Sequence, residues 1–160
     1  YPCRNLRASN LGHPCERYLY LLIKHWDEQK PHDVGLQNIF DLGNTLEEHT
    51  INNIKEAGYE ILTPTVRSWF IDKPYITGRE DIRIKDENGE LLPVEIKGLS
   101  PFEWEKLNTI DDFFKSKKAY IRGYPAQLQI YMLKFGKEKG FFALTNKLTG
   151  ETKFIEMAFS

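Results

Sequence analysis

Two carboxylates and an ammonium lie close together in the stretch YITGREDIRIKDENGELLPVEIKG, residues 75 to 98: Asp81, Glu95 and Lys97. The stretch reads as two strands, roughly Tyr75 to Lys85 and Leu91 to Lys97, joined by DENGE, where Asn88 and Gly89 tolerate the positive φ of a hairpin turn. Side chains alternate along a strand, so Glu95 and Lys97 share one face with Pro93, while Val94, Ile96 and Gly98 take the other. Asp81, Arg83 and Lys85 likewise alternate with Ile82 and Ile84. Such a polar face can simply be solvated, its acids paired with Arg79, Arg83 or Lys85. Two glycines point elsewhere: Gly98 ends the second strand and opens space beside its side chains, and Gly78, three residues before Asp81, permits close approach of a ligand.

A third acid belongs to a helix expected from about Leu36 to Ala57, with Gly58 at its C-terminal end. At about 100° per residue, the apolar stripe of Ile39, Gly43, Leu46, Ile54 and Ala57 nearly contains Glu47, whereas Glu48 lies well off it and His49 near the opposite edge. A carboxylate facing the core needs a partner, either an Arg or Lys inside the fold or a metal ion. Two or three carboxylates around one point, with a lysine two residues from one of them, suit Mg²⁺ or Mn²⁺, which prefer oxygen ligands and keep several waters. Phosphodiester hydrolysis is the chemistry such a set enables: the ion neutralises developing charge and acidifies a water, and Lys97 is placed to orient or polarise the nucleophile.

The elements that must position these groups form an α/β pattern. CERYLYLLIKHW, residues 15 to 26, has helical spacing, and YEILTPTV (59 to 66) and RSWFI (67 to 71) read as β. Asp111 to Phe135 is helical again, with Gly123 and Pro125 suggesting a separate helix from about Pro125, and GFFALTN and ETKFIEMAF are two further strands. This order, helix, three or four strands, helix, strand, strand, gives a mixed sheet. With 160 residues, 41% of them hydrophobic, one domain over 1–160 is expected. A net charge of -1 announces no global field for nucleic acid, so a polyanion would have to be held by local patches. Two cysteines, Cys3 and Cys15, make no disulfide framework, and the lack of a leader or an apolar run of membrane length points to a soluble cytoplasmic protein.

GRED (78 to 81), then EIK (95 to 97), then QLQIY (127 to 131), after an acid in the helix beyond Gly43, resemble the PD-(D/E)xK nuclease superfamily in its RecB-type branch with a QxxxY motif. The resemblance spans most of the chain, and the ordered combination is far more specific than the (D/E)xK pair alone. It implies a restriction-endonuclease-like core of helix, three strands, helix, strand. It further implies a divalent metal on Asp81 and Glu95, a backbone carbonyl lent by Ile96, and Lys97 acting on the attacking water. In that branch the helix position four after the glycine is often a His or Glu; counting from Gly43 gives Glu47, with His49 in reserve. Gln127 and Tyr131, four apart on one helical face, would support the site or touch substrate, or else pack on the sheet and cap a strand end.

The opening LRASNLGHPCERYLY also resembles these nucleases, and there Arg7 and Arg17 could hold a phosphate. Iron-sulfur members add three cysteines near the C-terminus; this chain ends ETKFIEMAFS, so no cluster is expected and Cys15 is read as a buried small apolar residue. In KSKKAYIRGY, residues 115 to 124, the lysines Lys115, Lys117 and Lys118 with Tyr120, Arg122 and Tyr124 suit phosphate contact and base stacking, or form a solvated basic loop. Phe102 and Trp104 would shape strand entry or pack in the core. The expected function is a metal-dependent deoxyribonuclease, an exonuclease acting on DNA ends or single strands in recombination, repair or phage DNA processing. Its rivals are a catalytically silent nucleic-acid-binding domain of the same fold, an endonuclease, and an interaction domain. A helicase or recombination partner, or an oligomer enclosing DNA, is compatible with this reading.

Overall fold

A computed structural model describes residues 4–64 and 67–160. Cys3 and the end of the expected 59–66 strand, Thr65 and Val66, lie outside the described residues. In chain order the elements are β1 (Leu6–Arg7), α1 (Glu16–Lys24), α2 (Val34–Glu56), β2 (Ile61–Leu62), β3 (Ser68–Ile71), β4 (Ile76–Arg79), β5 (Ile82–Lys85), β6 (Leu91–Leu99), α3 (Pro101–Lys106), α4 (Ile110–Lys115), α5 (Ala119–Phe135), β7 (Lys139–Asn146) and β8 (Thr152–Ala158). Short 3₁₀ turns at Ala8–Asn10 and Trp26–Glu28 flank α1.

A five-stranded mixed sheet runs β2-β5-β6-β7-β8, with β6 and β7 parallel and the other pairs antiparallel; a second, three-stranded sheet runs β1-β4-β3. The central strand β6 is apolar on both sides because both sides are covered. Leu92, Val94 and Ile96 pack with Ile82, Ile84 and the α2 residues Ile51 and Ile54. On the opposite face Leu99, Phe142 and Leu144 meet Phe113 of α4 and Ile121, Leu128 and Met132 of α5. The face carrying Glu95 and Lys97, which sequence alternation leaves free to be solvated, is therefore roofed by α5.

The structure departs from the sequence expectations in several places, among them the expected 59–66 strand, of which only Ile61–Leu62 is strand among the described residues. The expected single strand from Tyr75 to Lys85 is two strands in different sheets, β4 and β5, and the chain turns between them at Glu80 and Asp81. The cause lies in side-chain pairing: Glu80 folds inward onto Arg83, whose Nε and Nη2 donate to its carboxylate at 2.7 and 2.9 Å, so the alternation breaks. Helix α5 begins at Ala119 and carries Pro125 within it, rather than starting near Pro125. The loop before α1 lies directly against α5 at Gly123, and it is Gly12 that must lack a side chain: a Cβ there would stand 2.2 Å from Gly123 Cα. Of α2, only Thr50, Ile51 and Ile54 are buried, so Ile39 and Gly43 of the expected core stripe are exposed where the helix runs past the sheet. Cys15 is exposed, not buried: its Sγ accepts from Tyr18 N at 3.4 Å and caps α1. In the turn after β5, Gly89 alone takes a positive φ, at 80°, and Asp86 Oδ1 accepts from Asn88 N and Glu90 N.

Candidate active site

Antiparallel pairing of β5 with β6 sets Ile82 opposite Val94, which brings Asp81, one residue earlier, beside the stretch Glu95–Ile96. Asp81 Oδ2 accepts from Ile96 N at 2.8 Å, so the acid at the corner is stitched to the strand that carries the other acid. One oxygen of Asp81 is thereby committed to backbone. Glu95, only 2% exposed, takes Lys97 Nζ on Oε1 at 2.5 Å and Gln127 Nε2 on the same oxygen at 2.7 Å. Its second oxygen, Oε2, is buried and has no hydrogen-bond partner among the described residues.

Helix α5 supplies the scaffold behind this cluster. Gln127 Nε2 also reaches Tyr131 Oη at 2.9 Å, and Tyr131 Oη donates to Arg79 O at 2.6 Å. A continuous chain of hydrogen bonds thus runs from the backbone just before Asp81, through Tyr131 and Gln127, to Glu95. Lys97 Nζ reaches Gln127 Oε1 at 3.3 Å and sits 4.7 Å from the centre of the Tyr124 ring.

The electrostatics follow from this packing. Burial, then the Glu95 charge, raise the carboxyl of Asp81 well above its ordinary value, with Lys97 and the Ile96 amide opposing. Glu95 is likewise raised by burial, against the opposing pull of Lys97. Burial works against the charge of Lys97, but Glu95, Tyr124 and Asp81 more than offset it, so the ammonium is held above its ordinary value. Tyr131 is raised by burial and by Glu95, which keeps it a neutral donor. One ammonium thus compensates two closely spaced carboxylates incompletely. The orphaned Glu95 Oε2, the neighbouring Asp81 carboxylate and the hard-oxygen chemistry of both fit a divalent cation. Among the described residues no three His, Cys, Asp or Glu side chains converge into a ready-made metal cage.

Glu47 explains that shortfall. It lies close enough to raise both acids, but its Oε1 takes the Arg67 guanidinium at 2.5 Å. Of the two partners open to it from sequence, this structure gives it the arginine. His49 is turned away, its Nε2 on Gly150 O at 3.0 Å and near Asn53, so it does not reach the acids. Arg83 and Lys85 pair with Glu80 and Glu60, leaving Lys97 as the cation bonded to Glu95.

Of the expected substrate contacts, Arg7 lines a cleft of about 570 Å³ whose floor includes Gln127 and Tyr131 and whose walls include Trp69, Gly78 and Arg79. Tyr124 stands over Lys97. Arg17 is exposed on the first turn of α1. Lys117 is exposed, Lys118 pairs with Glu103 at 3.7 Å, Tyr120 stacks edge-on with Tyr124, and Arg122 Nη1 donates to Ser116 O at 2.6 Å. The basic stretch is therefore partly engaged in holding its own loop. Trp104 packs in the core with Nε1 on Leu144 O at 2.8 Å, while Phe102 is 75% exposed on α3, a helix that reads as a loop in the sequence.

Sequence reasoning missed Arg67, Glu80 and Trp69. Glu80 sits inside the GRED quartet but on the wrong parity for a continuous strand, and that parity break was the available signal.

No protein-family model and no curated protein matches the sequence. Solved structures that are similar include the following three. The alkaline exonuclease LHK-Exo from Laribacter hongkongensis has a TM-score of 0.66 at 16% identity over 99% of this chain and 79% of that one. A complex of LHK-Exo with dAMP gives 0.61 at 18% identity over 98% and 78%. The crystal structure of SSO0001 gives 0.55 at 18% identity over 98% and 68%. At these identities the likeness is one of fold, and the chain has a restriction-endonuclease-like α/β architecture, a mixed sheet flanked by helices.

Proposed function

We propose that this protein is a divalent-metal-dependent deoxyribonuclease of the RecB-type branch with a QxxxY motif, an exonuclease working on DNA ends or single strands. The observation that carries the reading is the buried Asp81, Glu95 and Lys97 cluster with Glu95 Oε2 unpartnered. A buried, incompletely compensated pair of carboxylates costs stability, and a fold keeps such an arrangement where it serves a function. The fold shared with an alkaline exonuclease supports the same reading.

Asp81, Glu95 and the Ile96 carbonyl would hold Mg²⁺ or Mn²⁺, with Glu47 joining once Arg67 lets go. Bound there, the cation neutralises charge on the phosphate and acidifies a water. The chain's own residues do the rest. Ile96 N fixes the Asp81 carboxylate in orientation, and Gln127 fixes Glu95, so the acids need no reorganisation. Lys97, always protonated at neutral pH, acts as a donor to the attacking water or to the phosphate, not as a base. The cleft lined by Arg7, Trp69 and Arg79 of the three-stranded sheet and by Gln127 and Tyr131 of α5, whose hydrogen-bond chain reaches Glu95, admits the terminal nucleotide.

A silent binding domain is the second reading, and the Glu47–Arg67 pair is the observation in its favour. Cleavage of end-labelled linear DNA, single- and double-stranded, beside a closed circle decides between them. Loss of linear DNA in Mg²⁺ or Mn²⁺ but not EDTA, sparing the circle and abolished by Asp81→Asn, is the expected result. Binding without cleavage in any metal would leave the silent domain.

A further inference from the structure

Away from the acids, α1 and the first half of α2 carry large aromatic side chains that the core does not use. Residues 34–45 of α2 are all exposed, and no residue of α1 is buried. Tyr18 is 49% and Phe40 47% exposed, and with the half-buried Trp26 they line a second cleft, of about 700 Å³. That volume lies in the range of small-molecule sites. Three features point to its occupant. The rings are already engaged by flat or cationic groups: His13 stacks on Tyr18 with centroids 4.3 Å apart, and Arg4 lies 5.3 Å from the centre of the Trp26 ring. The charged side chains lining the cleft are Arg7 and Lys30 against one acid, Asp27, and Arg4 lies beside the Trp26 ring, a balance that favours an anion. And Arg7 lines both this cleft and the one floored by Gln127 and Tyr131, so the two adjoin at that residue.

We infer that this second cleft is a base-stacking channel in which unpaired nucleotides of a single strand lie on Tyr18, Trp26 and Phe40, with Arg7 taking the phosphate where it adjoins the cleft floored by Gln127 and Tyr131. The inference rests on the nuclease reading for the nature of its ligand and extends it to the substrate class: a strand with unpaired bases beyond the bond to be cut. Stacking on aromatic faces is tolerant of sequence, because every base presents a π-face, and duplex ends that keep their bases paired cannot use it.

The test is equilibrium binding of a fluorescent oligothymidylate of twelve nucleotides in EDTA, which needs no turnover. Trp26→Ala and Phe40→Ala should each weaken it about tenfold, while Trp26→Phe and Phe40→Tyr, which keep a ring, stay within about twofold of wild type. Affinity for a blunt duplex of the same length should be unaffected by all four. Equal affinity for the single strand in the alanine variants would overturn the inference. So would an equal loss in the ring-keeping variants, or a shift in sedimentation showing that these residues hold two copies together. Cleavage of linear DNA by wild type with unaltered single-strand binding in the alanine variants would sink the channel and leave the nuclease standing. The reverse pattern, ring-dependent binding with no cleavage in any metal, would sink the nuclease and leave the channel.

Discussion

Asp81 holds its proton more tightly in the fold than in the unfolded chain, because burial and the neighbouring Glu95 both disfavour its charge. Its contribution to the metal-free protein is therefore best below the ordinary carboxylate range and worsens as pH rises from there through the raised folded value. Removing the charge should relieve this. Asp81→Asn keeps an oxygen for Ile96 N, so thermal melts in EDTA at neutral pH should show it more stable than wild type by about 1 kcal/mol, with the advantage fading in acid. Glu95→Gln should do the opposite. It leaves the Lys97 ammonium, with 19% of its side chain exposed, short of its principal charge partner, and a loss of about 3 kcal/mol is expected. Both variants should lose cleavage, so the pair separates a catalytic defect from a folding defect: equal destabilisation of the two would refute the assignment of Asp81 as the uncompensated acid.

Helix α5 matters for what it ties together more than for the apolar area it covers. Tyr131→Phe removes the donor to Arg79 O and the partner of Gln127 within one buried chain. It should cost about 1–2 kcal/mol in melting experiments and lower kcat while leaving DNA affinity in EDTA unchanged. A loss of affinity with kcat intact would assign Tyr131 to the substrate instead. The contact between α5 and the loop after β1 gives a sharper test of packing. Gly12→Ala would drive a methyl into the Gly123 backbone, whereas the reverse change meets Gly12 only at 3.3 Å. Gly12→Ala should therefore destabilise by about 3 kcal/mol and Gly123→Ala by much less, readable in denaturant midpoints. The elements themselves were largely legible: α2 was readable from its period and Gly58, β6 to β8 from apolar runs, and the turn between β5 and β6 from Asn-Gly. What was not legible depended on contacts distant in sequence. The break between β4 and β5 follows from Glu80 pairing with Arg83, the exposure of the α2 stripe from the sheet ending short of the helix, and the continuity of α5 through Pro125 from tertiary packing that outweighs a lost hydrogen bond. In the candidate site, strand parity and helical phase brought Asp81, Glu95, Lys97 and Glu47 to one region, but nothing in the spacing told that Arg67 would hold Glu47.

At the scale of the whole molecule, the cluster binds the two sheets into one device. Divalent cations should raise the melting temperature in proportion to the logarithm of their concentration above Kd, and Asp81→Asn should abolish that rise. A cation-dependent rise that survives the substitution would place the ion elsewhere. The Arg79 carbonyl beside Asp81 and the carboxylate of Glu95 hang from the same two side chains of α5. A displacement of that helix therefore acts on the backbone just before Asp81 and on Glu95 together. The site behaves like a pair of jaws on a common handle. The bond from Ile96 N to Asp81 is local to the pairing of β5 with β6, so a cation-dependent rise in melting temperature should persist in mild denaturant that already loosens the periphery.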